Sequence, residues 1–136
     1  MKMPSNPQSS TTLRTLTERS NARGLAHLAL HLGVIAATGA LYAAAFGTAW
    51  MFLAAWAYAT CLVFLFAPLH ETIHGTAFRS RWLNRTVSTA CGWILMLPPR
   101  YFRAFHFEHH RHTQDPERDP ELATPPPRPW REYLWR

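Results

Sequence analysis

Six of the chain's eight histidines fall between His70 and His112. His70 and His74 form an H-x-x-x-H pair, His106, His109 and His110 form an H-x-x-H-H triplet, and His112 lies just beyond. On a helix, residues three or four apart share a face, so each cluster can aim two or three imidazoles at one point. That is the arrangement of a metal site. Iron, zinc and copper all accept neutral imidazole, so ligand type alone leaves the metal open.

The spacing narrows the choice. HETIH, from His70 to His74, satisfies the H-E-x-x-H pattern of zinc proteases, with Glu71 in the place of the general base. Five or six clustered histidines nevertheless exceed what one tetrahedral ion requires, and two metals are the simpler reading. Asp115 and Asp119 could orient imidazole N–H groups or cap the loop that holds them. Arg103, Arg111, Glu108 and Glu117 read as solvated charges or as charges bordering the ligands.

The elements that position these clusters follow from where charge is missing. A chain of 136 residues suffices for one domain of ordinary size. Its mean hydropathy of −0.16 would describe a water-soluble protein, but the average hides a partition. From Gly24 to Leu69 there is no Asp, Glu, Lys or Arg, and every such residue lies outside that window. Residues 24–46 are apolar around the whole circumference and long enough to cross a hydrocarbon core of about 30 Å. Gly47 and Thr48 make a minimal turn, and residues 49–69 supply a second span, with Trp50 and Trp56 toward one end. A transmembrane hairpin is expected. A secretory signal peptide is not expected, because the apolar run starts late and is too long, and no small-residue cleavage site is followed by a soluble domain.

After His74 the apolar piece from Thr86 to Pro99 is too short to span: 14 residues of helix reach about 21 Å. An interfacial or half-inserted helix over about 86–97 is expected, ended by Pro98 and Pro99, which returns the chain to the same membrane face. The stretch carrying the second cluster can be helical until Asp115-Pro116 breaks it. Residues 1–23, rich in Ser, Thr and Pro at their start, read as a disordered tail. Residues 116–136 read as a Pro-rich connector with an interfacial Trp, Tyr and Arg end. The fold class is therefore all-α, an integral membrane hairpin followed by interfacial helices, with a membrane domain over 24–115.

Other features are less informative. The formal charge of +6 is compatible with nucleic acid, but no aromatic-basic recognition module is present, and arginines flanking a span are expected in any case. Cys61 and Cys91 show no paired spacing, which argues against a disulfide framework or zinc ribbon. His27 and His31 form a further i, i+4 pair on the first span. They are expected to hydrogen-bond near the interface, since the second span offers no facing histidines for a haem.

HETIH followed by GTAF, and then FRAFHFEHHRHTQDPERDPEL, resemble the first and second histidine boxes of the membrane fatty acid desaturase superfamily, which includes related hydroxylases and ketolases. The resemblance covers about residues 25–136. It implies two non-haem irons bound at the cytoplasmic face, with His70 and His74 in the first box and His106, His109 and His110 in the second. His112 is not a usual box position. The resemblance further implies an acyl-lipid substrate in the membrane, O2, and an electron-transfer protein of ferredoxin or cytochrome b5 type. Members carry a third H-x-x-H-H box after another pair of spans. The chain ends before either, so it is expected to represent the N-terminal portion of such an enzyme and to be inactive alone. Alternatives are a hydroxylase or ketolase of the same superfamily, or a membrane protein that binds metal without catalysis.

Orientation follows from Arg14, Arg19 and Arg23 before the first span and Arg79, Arg81 and Arg85 after the second, with no charge in the turn between. The positive-inside bias puts both flanks, and both clusters, in the cytoplasm. A reporter active only in the cytoplasm should give signal when fused at residue 1 and none when inserted at Gly47; the opposite pattern would reverse the topology.

Overall fold

In the computed structural model residues 17–123 are described, and every regular element among them is helical. The tail expected over 1–23 and the connector over 116–136 fall largely outside these residues. The chain divides into two compact units, one ending at Met96 and the other beginning at Leu97.

The first unit holds α1 (Asn21–Ala45), α2 (Met51–Val63), α3 (Phe66–His74) and α4 (Arg81–Ile94), with α1 packed on α2 and α3 on α4. Ser20, in extended conformation, caps α1 by accepting the Arg23 N–H at 3.4 Å. No residue of α1 is buried, and Leu30, Leu41 and their neighbours stand exposed. A helix apolar on all sides finds its solvent in hydrocarbon. α1, with 25 residues, and the stretch Met51–His74, with 24, are both long and apolar enough to cross a membrane. Their threonine hydroxyls are satisfied within their own helix: Thr38 donates to Val34 O at 2.8 Å, Thr60 to Trp56 O at 2.8 Å and Thr72 to Pro68 O at 2.6 Å.

The second apolar stretch is broken between α2 and α3, and Pro68 supplies the reason. Its missing N–H cannot bond the Phe64 carbonyl, which instead accepts the Ala67 N–H at 3.0 Å, while Leu65 N–H reaches Leu62 O at 3.0 Å. Two tight turns result, and α3 continues past the apolar run to carry both first-cluster histidines.

α3 ends at Gly75, whose left-handed φ of 69° closes the helix. Gly75 N–H donates to Thr72 O and Thr76 N–H to Glu71 O, each at 3.0 Å, which satisfies two terminal carbonyls. The chain from Gly75 to Ser80 is then held by two asparagines. Asn84 accepts the Phe78 N–H at 3.2 Å and donates to the carbonyls of Phe78 at 2.9 Å and Ser80 at 3.1 Å. Asn21, at the start of α1, donates to Ser80 Oγ at 2.7 Å and accepts the Ser80 N–H at 2.9 Å. Gly24 permits this approach: a Cβ there would lie 2.6 Å from Phe78 Cδ1 and would strike the Ala77 carbonyl. Phe78, Leu65 and Leu69 are the largest fully buried side chains.

α4 starts at Arg81, ahead of the apolar run expected to define it, and stops at Ile94. Its buried face is small and polar, comprising Asn84, Ser88, Cys91 and Gly92 beside Leu83, so an apolar pattern does not mark its beginning. In the second unit, α5 (Pro99–His112) is followed by a 3-10 turn (Pro120–Leu122). Pro99 is the first residue of α5 rather than the stop of α4, a position where the absent N–H is not needed. α5 ends before Asp115-Pro116, as Gln114 turns left-handed with φ 67°.

Replacing Asn84 with alanine leaves the buried N–H and C=O of Phe78 without these partners. A loss of about 1–3 kcal/mol is expected, read as a lower unfolding midpoint in detergent; an unchanged midpoint would remove Asn84 from this role.

Candidate metal centre

The first histidine pair is built on the last turns of α3. His70 and His74 are half-buried, with ring centroids 4.7 Å apart. Glu71, between them, turns aside: one carboxylate oxygen lies 3.3 Å from His70 Nδ1 and the other accepts the Thr76 hydroxyl at 2.7 Å. A carboxylate accepts only, so this contact requires the proton on His70 Nδ1 and leaves Nε2 with its lone pair.

The second cluster occupies two faces of α5. His106 is buried and stacked on the buried Phe102 ring at 5.3 Å. Its Nε2 lies 2.9 Å from His110 Nε2. Two imidazole nitrogens about 2.1 Å from a shared first-row ion and at right angles to each other stand about 3.0 Å apart, so this pair fits adjacent ligands of one ion. His109 points elsewhere. Its Nδ1 lies 2.9 Å from Asp119 Oδ1 and 3.5 Å from Glu121, which again fixes the tautomer and leaves Nε2 open. The Asp119 hydrogen bond outweighs partial desolvation and raises the His109 pKa. Burial opposes ionisation of Asp119, 3% exposed, but hydrogen bonds from His109 and from the backbone N–H groups of Glu121 and Gln114 hold its carboxyl below the usual range.

Other residues singled out by the sequence sort themselves by partner. Asp119 both orients His109 and closes the loop, accepting Gln114 N–H at 3.0 Å and Glu121 N–H at 2.9 Å. Asp115 caps the turn, accepting Glu117 N–H at 3.0 Å. His112 pairs with Glu108 at 3.1 Å on its own helix, and Arg111 pairs with the same carboxylate at 2.9 Å. Arg103 lies over the Phe107 ring, 4.2 Å from its centroid. The sequence reading does not single out Thr76 and Glu121, although both lie within the stretches that resemble the histidine boxes; their proximity to the histidines was the available signal.

His27 and His31 line a cavity of about 800 Å³ in the first unit, together with Arg23, Cys61, Phe64 and Glu71. His31 Nε2 is enclosed and has no hydrogen-bond partner among the described residues. Both cysteines are free, and burial pushes the Cys91 thiol up, which makes it unreactive.

Residues 48–136 match the fatty acid desaturase family, a segment that contains both histidine groups and the second apolar helix. The chain belongs to the fatty acid desaturase family. No curated protein and no solved structure matches it. Membership of the desaturase family implies oxidoreductase chemistry on a lipid with O2 and association with a membrane, and iron is the metal such proteins typically use. The donor set is compatible with iron: imidazoles, two of them with a carboxylate at Nδ1, accept it as they accept zinc or copper.

Orienting partners of a ligating histidine typically govern metal affinity by ten- to a hundred-fold. Asp119→Ala should therefore weaken binding of cobalt(II), a spectroscopic substitute for iron(II), by roughly that factor, whereas His112→Ala should leave it unchanged. Equal effects of the two changes would contradict the assignment.

Proposed function

We propose that this chain carries ligand groups of a membrane-bound, O2-dependent di-iron desaturase acting on acyl lipids. The observation that carries the reading is the second cluster, in which His106 and His110 meet at 2.9 Å while Asp119 holds His109 with one nitrogen free. His70, His74, His106, His109 and His110 are the proposed ligands. Glu71 and Asp119 keep the Nδ1 proton on His70 and His109, so that each presents Nε2. Asp115 and His112 serve the local loop and helix. Five imidazoles leave a two-iron centre short of ligands, and a third histidine group is part of the proposal.

His70, His74, His106, His109 and His110 would hold the iron, which when reduced and given O2 would supply an oxidant strong enough to take hydrogen from an unactivated methylene. The chain's own residues perform the other tasks. α1 and the Met51–His74 stretch keep His70 and His74 at the end of two apolar helices, where an acyl chain dissolved in the bilayer can approach. The arginines on the polar flanks favour an acidic electron-transfer protein of ferredoxin or cytochrome b5 type. In this reading residues 24–115 form the membrane and ligand portion, and the N-terminus and both histidine groups face the cytoplasm.

Iron content of the purified 136-residue chain tests the proposal. Chain produced in iron-supplemented cells should retain iron, and the double change His106→Ala/His110→Ala should remove most of it while the helical circular dichroism is preserved. Iron content indifferent to these changes, or zinc in its place, would overturn the reading.

A further inference from the structure

We infer that the outward face of α4 is a lipid-binding surface, seated in the headgroup layer of a leaflet bearing anionic lipids. The helix is built inside out. The side chains it turns inward are mainly small or polar, with Asn84, Ser88, Cys91 and Gly92 against the rest of the unit. Its large apolar side chains face outward: Trp82 is 66% exposed, Trp93 80%, Ile94 57% and, just past the helix, Met96 90%. Trp82 and Trp93 are eleven residues apart, about three turns, and therefore share a side of the helix. In water this face would be an unexplained apolar patch.

The hydrogen bonds fix the level at which the patch lies. Ser80, immediately before α4, is bonded in both directions to Asn21, the first residue of α1. Gly75 closes α3 a few residues earlier. The start of α4 is thus tied to the ends of both helices long enough to cross a membrane, and those ends mark a membrane surface. The 14 residues of α4 reach about 21 Å, short of a hydrocarbon core of about 30 Å. Starting at the boundary, too short to cross, and apolar outward, α4 meets its requirements in the plane of the interface.

Composition selects the lipid. Between Glu71 and Glu108 there is no acidic residue, and Arg79, Arg81 and Arg85 cluster at the start of α4, where Arg81 and Arg85 are exposed. Guanidinium groups at headgroup level pair with lipid phosphates, and a field without acidic residues attracts anionic headgroups. Tryptophans at both ends suit the same layer, with ring in the acyl boundary and N–H toward water. The surface is independent of the metal reading: it would exist whether or not the histidines bind iron.

The test uses the full chain reconstituted in vesicles of phosphatidylcholine with phosphatidylglycerol, and in vesicles of phosphatidylcholine alone. A nitroxide at position 93, introduced by Trp93→Cys with Cys61→Ala and Cys91→Ala, should be more accessible to O2 than to a water-soluble nickel chelate, and more so in the anionic vesicles. Arg79, Arg81 and Arg85 changed together to Gln should abolish the difference between the two lipids. A label freely accessible to the nickel chelate would place the face in water and overturn the inference. A label inaccessible to both reagents would show a protein partner or a second copy covering it, and would overturn it equally. Equal readings in the two lipids would overturn the anionic preference. If the cysteine changes disturb folding, bromolipid quenching with the native cysteines gives the same answer: Trp93→Phe should lower the quenchable fraction of fluorescence, and an unchanged fraction would contradict the lipid contact.

Discussion

The six residues from Gly75 to Ser80 connect the histidine-bearing end of α3 to α4, and they do so without regular structure beside two apolar helices. Backbone polar groups in such a place must find partners. Asn84 supplies three of them, and Asn21 supplies a reciprocal pair from the start of α1. Gly24 lets α1 come close enough for this. The first histidine pair, the start of α4 and the amino end of α1 are consequently one assembly. If the connection loosened, His70 and His74 would sit on a fraying helix end.

In the proposed reading, this arrangement mounts His70 and His74 as ligands where hydrocarbon meets water. Imidazole is too polar for the middle of a bilayer and needs a rigid mount to act as a ligand. α3 provides the mount by extending past the apolar run, and the Gly75 closure gives it a defined last turn. On α5 the mount is aromatic: the Phe102 ring backs His106. The carboxylates do not compete for the ligand position. Glu71 and Asp119 each take the Nδ1 side of a histidine.

Much of this was legible in the sequence, because it depends on spacing and on the absence of charge. The absence of charge from Gly24 to Leu69 marks the two apolar helices, and the i, i+4 spacing of His70 with His74 and of His106 with His110 brings imidazoles together. What escaped depends on contacts across long separations or on inverted patterns. Asn21 and Ser80 are 59 positions apart, and nothing local signals their bond. α4 hides its start because its inward face is small and polar, so the usual association of apolar with buried runs backwards. Pro98 and Pro99 read as a stop, yet proline is equally at home as the first residue of the next helix. Asp115 and Asp119 look alike in sequence; the left-handed turn at Gln114 brings Asp119 back to His109 and leaves Asp115 to cap its own loop.

The central claim is that imidazoles of this chain hold iron. X-ray absorption at the iron edge of the purified, iron-loaded chain examines it most directly. The account predicts nitrogen neighbours at about 2.1 Å with the outer-shell scattering of at least two imidazole rings per iron, lost when His106 and His110 are replaced. Iron surrounded by oxygen alone, without imidazole scattering, would contradict it.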